Sequence, residues 1–202
     1  TIIKALESTF ISELIVSTDS DEISKISSKH GAKILKRKEE LATDKANEIY
    51  SWKDAIIKNK EYFQDNVNPF ISLPATSPLR DMKSVYEGLK KYFLSDFDVI
   101  ISIVKSKKNP FITQVKINKD QTVSRIFENN SIYRRQDAPE VFDIAGSFYI
   151  ANPSYILSCK NLYEGKVGFI EIDEKENLDI DSEFDFHIAK YLLKNPYTQK
   201  NI

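Results

Sequence analysis

Short apolar runs alternate with amphipathic helical patterns along most of the chain. Runs of strand length lie at residues 13–18, 32–35, 69–73 and 98–104, with helical spacing of apolar residues between them. Strand–helix–strand alternation favours parallel strands joined by right-handed crossovers. The pattern therefore predicts an α/β fold with a mostly parallel sheet, in which the continuously apolar run 98–104 is a central, covered strand.

The pattern changes after residue 104. Residues 111–117 and 123–127 alternate apolar and polar positions, and a polar stretch at 118–121 separates them. This arrangement is typical of a β-hairpin. We predict that residues 105–141 form an arm that projects from the sheet and makes a contact between subunits, with an antiparallel edge of the main sheet as the alternative.

An acidic stretch near the C-terminus is the first candidate for chemistry. Leu178 and Ile180 alternate with Asp179 and Asp181, as in a short half-buried strand, and Ser182 stands where a helix N-cap is expected. Side chains two residues apart on a strand share a face, which brings the two carboxylates to within about 5–7 Å. Such oxygen ligands suit Mg²⁺. A solvated acidic turn before the last helix explains the same spacing.

Two other segments carry side chains suited to binding. Thr76 and Ser77 follow a predicted strand and precede a helix, which is where open α/β sheets bind ligands. An N-cap in a proline-shaped turn is the alternative interpretation. Further on, Arg134, Arg135 and Gln136 are suited to fork-shaped binding of a carboxylate or phosphate, or they form a surface patch.

Composition narrows the class of protein. The 202 residues are enough for one sizeable core, so residues 1–202 are predicted to form a single domain. A net charge of −1 attracts neither nucleic acid nor a membrane surface, and no run of 18 apolar residues or signal-peptide pattern is present. The single cysteine, Cys159, excludes an internal disulfide. We therefore expect a cytoplasmic protein with no nucleic-acid or membrane partner.

Six segments occur together in one order and carry a family resemblance. They are VSTDS (16–20), ELATD (40–44), LPATSPLR (73–80), RRQDAPE (134–140), AGSFYI (145–150) and LDIDSEFDF (178–186). In these segments, and over essentially its whole length, the chain resembles the acylneuraminate cytidylyltransferases, or CMP-sialic acid synthetases. Bacterial relatives in that family activate legionaminic, pseudaminic and other nonulosonic acids.

The resemblance implies a fold, a reaction and an assembly. The fold is a Rossmann-like nucleotidyltransferase fold. The reaction joins CTP to a sialic-acid-like sugar acid, giving the CMP-sugar and diphosphate with Mg²⁺ as cofactor. The assembly is a homodimer built partly through the projecting arm.

The resemblance also implies roles for particular residues. Asp179 and Asp181 match the metal-binding, catalytic aspartates. On the nucleotide side, Arg37 matches an arginine near the cytosine and Ala46 falls in the segment lining the base pocket, and we expect Thr76 and Ser77 there too. The sugar-acid side is predicted to consist of Arg135, Gln136 and Tyr149.

Departures from the family pattern shape two further expectations. The family begins with a strand and a glycine-rich phosphate loop, and nothing of that kind stands in this chain, which has five glycines. We therefore expect a shortened start and weak CTP binding. Pro74 replaces a glutamine common in sialic-acid enzymes, and residues 145–149 look more like the pseudaminic-acid branch. The expected substrate is an acid other than N-acetylneuraminate.

Two alternatives remain at this point. One is a cytidylyltransferase for an eight-carbon acid of the 3-deoxy-octulosonate type. The RRQD motif argues against this alternative. The other is a non-catalytic dimerising or sugar-acid-binding fragment, which the missing phosphate loop favours.

Overall fold

A computed structural model of the chain describes residues 1–43, 46–65, 67–127, 132 and 134–195. The strands in this part of the chain are β1 Ile15–Thr18, β2 Lys33–Lys36, β3 Phe70–Ser72, β4 Val99–Lys105, β5 Val115–Ile117, β6 Val123–Arg125, β7 Phe142–Ala151 and β8 Val167–Glu171. The α-helices are α1 Ile2–Leu6, α2 Asp21–Lys29, α3 Glu48–Lys58, α4 Met82–Phe93, α5 Pro153–Ser158 and α6 Glu183–Lys194.

The main sheet has the strand order β3-β7-β4-β8. Strand β4 pairs with β8 in parallel, and β7 runs antiparallel to both β3 and β4. Three of the four strands therefore share one direction, and the prediction of a mostly parallel sheet is confirmed. The reversal of β7 has a local cause: Phe142, at its start, is the register partner of Lys105, at the end of β4, so the arm leaves the sheet and returns to it at one point.

Strands β1 and β2 form a separate two-stranded parallel sheet with α2 as the crossover. The side chain of Ser20 accepts a hydrogen bond from the backbone N–H of Ile23 and starts this helix. The helix ends before Gly31, whose φ of +91° is a conformation that glycine adopts without strain.

The hairpin between β4 and β7 is a third sheet of its own. Strands β5 and β6 pair antiparallel, with Val115 opposite Arg125, and neither pairs with the main sheet. The projecting arm is thus confirmed, and the alternative of an antiparallel edge is wrong. Strand β5 is shorter than predicted because residues 109–113 form a turn, in which the N–H groups of Ile112 and Thr113 donate to the carbonyl of Asn109. The ring of Phe111 stacks on that of Phe127, with centroids 4.8 Å apart.

Side chains on β4 alternate between the two faces of the main sheet. Val99 and Ile101 belong to the cluster that α3 and α5 cover, whereas Ile100 and Val104 belong to the cluster that α4 covers. Since β4 lies between β7 and β8 and is covered on both faces, its predicted central position is confirmed. In the part of the chain that the structure describes, no helix is long and apolar enough to span a membrane.

The α4-side cluster offers a stability test on one strand. Phe148 on β7 is 0% exposed, whereas Phe142, on the same strand, is 38% exposed. We expect Phe148→Ala to lower the free energy of unfolding by about 3–5 kcal/mol, because it removes a large buried ring and leaves a cavity. Phe142→Ala serves as the matched control, with an expected loss of about 1 kcal/mol or less. Urea denaturation measures both, and equal losses would contradict this description of the core.

Candidate functional site

Asp179 and Asp181 lie in an extended segment between a 3₁₀ helix, Glu174–Asn177, and α6. Leu178 and Ile180 are half-buried and both aspartates are exposed, so the alternation predicted from the sequence is present. The prediction of a strand here is wrong. A strand needs a ladder of backbone hydrogen bonds. Among the described residues this segment has one such bond to another part of the chain, from the N–H of Ile180 to the carbonyl of Thr76 at 2.9 Å.

The start of α6 is fixed directly after the acidic pair. Ser182 Oγ accepts a hydrogen bond from the backbone N–H of Asp185, and the carboxylate of Asp185 accepts one from the backbone N–H of Ser182. This reciprocal capping box confirms the predicted N-cap. It also occupies Asp185, whereas the carboxylates of Asp179 and Asp181 have no side-chain partner among the described residues.

The loop after β3 separates the two predicted nucleotide-binding residues. Thr76 is exposed, and its carbonyl holds the acidic segment. Ser77 is 1% exposed, and its hydroxyl donates to the carbonyl of Gly146 at 3.2 Å. The structure therefore brings Thr76 next to the aspartates and turns Ser77 into the fold.

The loop is seated on an irregularity in β7. The register between β4 and β7 shifts after Ile101, and Ser102 Oγ accepts hydrogen bonds from the backbone N–H groups of Ser147 and Phe148. A bulge of this kind disrupts the ladder locally. Here the carbonyls of Gly146 and Ser147 accept hydrogen bonds from side chains of the loop instead.

Arg80 fastens the end of the loop to this bulge. Its side chain is 2% exposed; Nε donates to the carbonyl of Ser147 at 2.5 Å and Nη2 to the carbonyl of Pro74 at 2.6 Å. Burial lowers the pKa of Arg80 to about 10, while the negative charge of Glu176 acts in the opposite direction. A planar guanidinium is suited to this task because its donors lie in a fixed fork.

Glu176 holds the acidic segment from its other side. Its buried carboxylate accepts hydrogen bonds from the backbone N–H of Asp81 at 2.9 Å and from Ser84 Oγ at 3.0 Å, at the start of α4. Burial raises the pKa of this carboxyl group. Thr76 and Glu176 thus position Asp179 and Asp181 from two independent contacts.

A cleft of about 230 Å³ contains Tyr149, the predicted sugar-acid residue on β7, in its wall. Its walls come from the start of α3, from β7 and from a 3₁₀ helix, Leu162–Glu164; they include Glu48, Trp52, Tyr149 and Tyr163. The rings of Trp52 and Tyr149 have centroids 5.1 Å apart. Burial raises the pKa of Tyr149, and the negative charges of Glu48 and Asp179 add to that shift. Tyr149 therefore links the cleft to the predicted metal ligands.

The residues predicted to lie near the cytosine base, Arg37 and Ala46, are close to residues that line this cleft. Arg37 is half-buried and donates hydrogen bonds to the hydroxyl and carbonyl of Ser17, at 3.2 Å and 2.7 Å. Burial raises the pKa of Glu48, and the nearby Trp52 side chain and the positive charge of Arg37 oppose that shift. Ala46, also half-buried, lies just before the N-cap of α3.

The predicted sugar-acid motif lies on a 3₁₀ helix, Arg135–Asp137, at the end of the arm. Gln136 is exposed and has no hydrogen-bond partner within the described residues, whereas the side chain of Arg135 lies outside them. Arg134 donates two hydrogen bonds to Asp137, both at 2.9 Å. One arginine of the predicted cationic fork is therefore paired inside its own motif.

The carboxylates of Asp179 and Asp181 fit Mg²⁺ only if a substrate supplies further oxygen ligands. Across the described ranges, no group of three or more histidine, cysteine, aspartate or glutamate side chains is arranged to hold a metal. Asp179 and Asp181 are exposed, and in the same ranges no side chain forms a hydrogen bond or ion pair with them. Mg²⁺ bound through one or two carboxylates takes its other ligands from water and substrate phosphates, which matches this pair.

A family model described as cytidylyltransferase matches residues 1–195. The chain belongs to this family. It is accordingly a nucleotidyltransferase, and the predicted family resemblance is confirmed.

Among curated proteins, this cytidylyltransferase is similar to two from Campylobacter. It is 30% identical to the post-translational flagellin modification protein B of Campylobacter coli, over 98% of this chain and 84% of that protein. It is also 30% identical to the CMP-N,N'-diacetyllegionaminic acid synthase of Campylobacter jejuni, over 95% and 81%. The N-acylneuraminate cytidylyltransferase of Escherichia coli is 33% identical over 99% of this chain and 46% of that longer protein.

Solved structures share the fold. A CMP:2-keto-3-deoxy-manno-octonic acid synthetase complexed with CTP superposes with a TM-score of 0.65 at 13% identity, over 95% of this chain and 84% of that one. The 4-diphosphocytidyl-2C-methyl-D-erythritol synthase of Anaerococcus prevotii gives 0.58 at 15% identity, over 96% and 88%. The predicted nucleotidyltransferase fold is thereby confirmed.

The sequence did not single out Glu48, Asn161 or Tyr163 as cleft residues. A glutamate after the N-cap asparagine of α3 is an ordinary helix start, favoured by the helix dipole. Tyr163 lies in the short 3₁₀ helix Leu162–Glu164, whose sequence has no distinctive pattern. Only the tertiary packing of α3 against β7 and α5 brings these residues together, so no local signal would have found them.

The Arg80 contacts generate a second stability test. Arg80→Lys keeps the charge but loses the fork, and a buried carbonyl left without a donor costs roughly 1–3 kcal/mol. We expect the free energy of unfolding to fall by at least that amount, measured by urea denaturation. Arg134→Lys is the matched control, since Arg134 forms an exposed pair with Asp137 and such pairs contribute about 1 kcal/mol or less. If Arg80→Lys is as mild as the control, Arg80 does not anchor the loop.

Proposed function

We propose that this cytidylyltransferase activates a nonulosonic acid with CTP, giving the CMP-sugar and diphosphate. The observation that carries the proposal is that the carboxylates of Asp179 and Asp181 are exposed and have no side-chain partner among the described residues, with Asp179 near enough to Tyr149 in the cleft wall for its charge to act on that phenol. The names of the Campylobacter jejuni and Escherichia coli relatives support the substrate class.

In the proposed reaction, the anomeric hydroxyl oxygen of the sugar acid attacks the α-phosphorus of CTP. A bond forms between that oxygen and phosphorus, the bond from phosphorus to the diphosphate oxygen breaks, and the hydroxyl proton is released. Negative charge is redistributed over the phosphoryl oxygens during the step, so catalysis depends mainly on positioning and on electrostatic stabilisation.

Asp179 and Asp181 are the residues that would hold Mg²⁺. When bound, the ion supplies positive charge against the phosphoryl oxygens and lowers the pKa of a coordinated hydroxyl. The chain's own contribution is to keep the two carboxylates exposed and fixed, through the contacts of Thr76 and Glu176.

The remaining predicted residues divide between the two substrates. Thr76 contacts the acidic segment, Arg37 and Ala46 remain predicted residues of the base pocket, and Ser77 acts indirectly by fixing the loop. Tyr149 offers a ring and a hydroxyl to the sugar acid from the cleft wall. Arg135 and Gln136 remain predicted sugar-acid ligands at the base of the arm.

The proposal is tested by turnover of the full gene product with CTP and a panel of acids, followed by diphosphate release. The panel comprises N,N'-diacetyllegionaminic, pseudaminic and N-acetylneuraminic acids and the eight-carbon 3-deoxy-octulosonic acid. We expect highest kcat/KM for a nine-carbon acid other than N-acetylneuraminic acid. Preference for the eight-carbon acid, or no turnover of any acid, would overturn the proposal.

Removing one carboxylate tests the proposed metal ligands. We expect Asp181→Asn to lower kcat by roughly a hundredfold or more, because charge stabilisation of the phosphoryl oxygens is lost. Its thermal midpoint should match that of the parent protein, since Asp181 is exposed and unpaired among the described residues. Glu183→Gln, two residues further on and also exposed, is the control and should keep its activity. Full activity in a folded Asp181→Asn protein removes the role of Asp181.

We also propose that the protein is a homodimer assembled partly through the arm, residues 105–141. The hairpin presents apolar side chains to solvent, among them Val115, Val123 and Ile117, which is 76% exposed. Grouped exposed apolar residues mark interaction surfaces.

The dimer proposal predicts the effect of a charge on the hairpin. In sedimentation velocity, Ile117→Asp should shift the protein from dimer to monomer, because the charge would have to be buried at the contact. Leu94→Asp, at the C-cap of α4 and 87% exposed, is the control and should remain dimeric. A dimer that persists in Ile117→Asp, or a monomeric parent protein, would contradict the proposal.

A further inference from the structure

The short segment between α5 and β8 supplies part of the cleft wall. Leu162 and Tyr163, in its 3₁₀ helix, line the cleft, and Tyr163 is 58% exposed. An exposed segment with few buried contacts opens readily unless hydrogen bonds hold its backbone. The shape of this wall therefore depends on the groups that hold the backbone of residues 161–165.

The hydroxyl group of Tyr155, on α5, meets three backbone groups of this segment. It accepts a hydrogen bond from the N–H of Gly165 at 2.7 Å and donates one to the carbonyl of Leu162 at 3.0 Å. The carbonyl of Asn161 lies 3.3 Å from the same oxygen. One side chain therefore connects both ends of the segment to the helix that precedes it.

The surroundings of Gly165 keep the phenol of Tyr155 in place. A Cβ atom at Gly165 would lie 2.6 Å from the ring of Tyr155 and 2.5 Å from Oδ2 of Asp98, which is closer than non-bonded atoms approach. The same carboxylate oxygen accepts a hydrogen bond from the backbone N–H of Lys166 at 2.8 Å. The end of the segment is thus enclosed between Tyr155 and the residue that precedes the central strand β4.

The walls of the cleft have different predicted roles. Asn47, at the start of α3, directly follows Ala46, which is predicted to lie near the cytosine base. Tyr149 on β7 is the predicted sugar-acid residue. Helix α5 begins two residues after β7 ends, and Tyr155 and Leu162 pack with Tyr149 against one buried cluster of the core. We therefore assign the segment that Tyr155 holds to the sugar-acid side.

We infer that Tyr155 is a positioning residue, whose hydroxyl fixes the wall formed by Leu162 and Tyr163 in the conformation that binds the sugar acid. This inference rests on the proposed function and deepens it. Tyr155 does not itself line the cleft, and its hydroxyl is used by backbone groups. It therefore acts through the segment and not by contact with the substrate.

The test compares the full gene product with Tyr155→Phe, using CTP and the acid with the highest kcat/KM in the panel above. Phenylalanine keeps the ring and removes only the hydroxyl, so thermal melting should show a folded protein. Because two hydrogen bonds that hold the wall are lost, we expect KM for the acid to rise roughly 5- to 30-fold. KM for CTP and kcat should change by less than about twofold, since only binding of the acid is weakened.

The matched control is Tyr86→Phe, an exposed tyrosine on α4 outside this cleft, which should leave both KM values unchanged. If Tyr155→Phe lowers the thermal midpoint but not the affinity for the acid, the hydroxyl serves stability alone, and the inference fails while the proposed function stands. A rise in KM for CTP alone also overturns it and assigns the segment to the nucleotide. If the parent protein turns over no acid, the proposed function fails and the inference fails with it.

Discussion

The fork of hydrogen bonds from the buried guanidinium of Arg80 is the constraint on which the candidate site depends. It joins the carbonyl of Pro74, at the start of the loop after β3, to that of Ser147, in the bulge of β7. Within that loop, the carbonyl of Thr76 holds Ile180 between the two aspartates. A short series of hydrogen bonds, two from the Arg80 side chain and one between backbone groups, therefore connects the core strand β7 to the position of Asp179 and Asp181. The acidic segment needs this external support because it has no ladder of its own.

The candidate site contains several carboxylates although its proposed substrates are themselves anions. The negative charges of Asp179 and Glu48 both raise the pKa of Tyr149. Asp181, two residues after Asp179, is exposed. Burying or grouping such charges is costly unless cations or hydrogen bonds offset them. The arrangement is consistent with a site that is completed by a divalent cation brought together with a triphosphate.

The regular parts of the molecule could be predicted from the sequence because their signals are local. The apolar run of β4 and the N-cap at Ser182 appear where the pattern indicates them. The reversal of β7 could not be predicted in the same way, since it depends on the two ends of the arm meeting at Lys105 and Phe142. The segment 178–181 alternates like a strand and is not one, because alternation reports which side chains are buried and not which backbone groups are paired.

For the site, too, local motifs could be predicted, whereas contacts between distant parts of the chain could not. The aspartates and Tyr149 could be named from motifs, and Asp179 lies near enough to Tyr149 for its charge to raise the pKa of that phenol. Ser77 and Thr76 are neighbours in sequence, but only the bulge in β7 decides that one hydroxyl is buried and the other side chain is exposed. Glu48 could not be found, because its partners in the cleft come from distant parts of the chain.

The most direct test of the central claim is the binding of Mn²⁺, a stand-in for Mg²⁺, in the presence of CTP, followed by electron paramagnetic resonance. The account predicts that replacing both Asp179 and Asp181 by asparagine weakens this binding roughly tenfold or more, and equal binding by the parent protein and the folded double variant would contradict it.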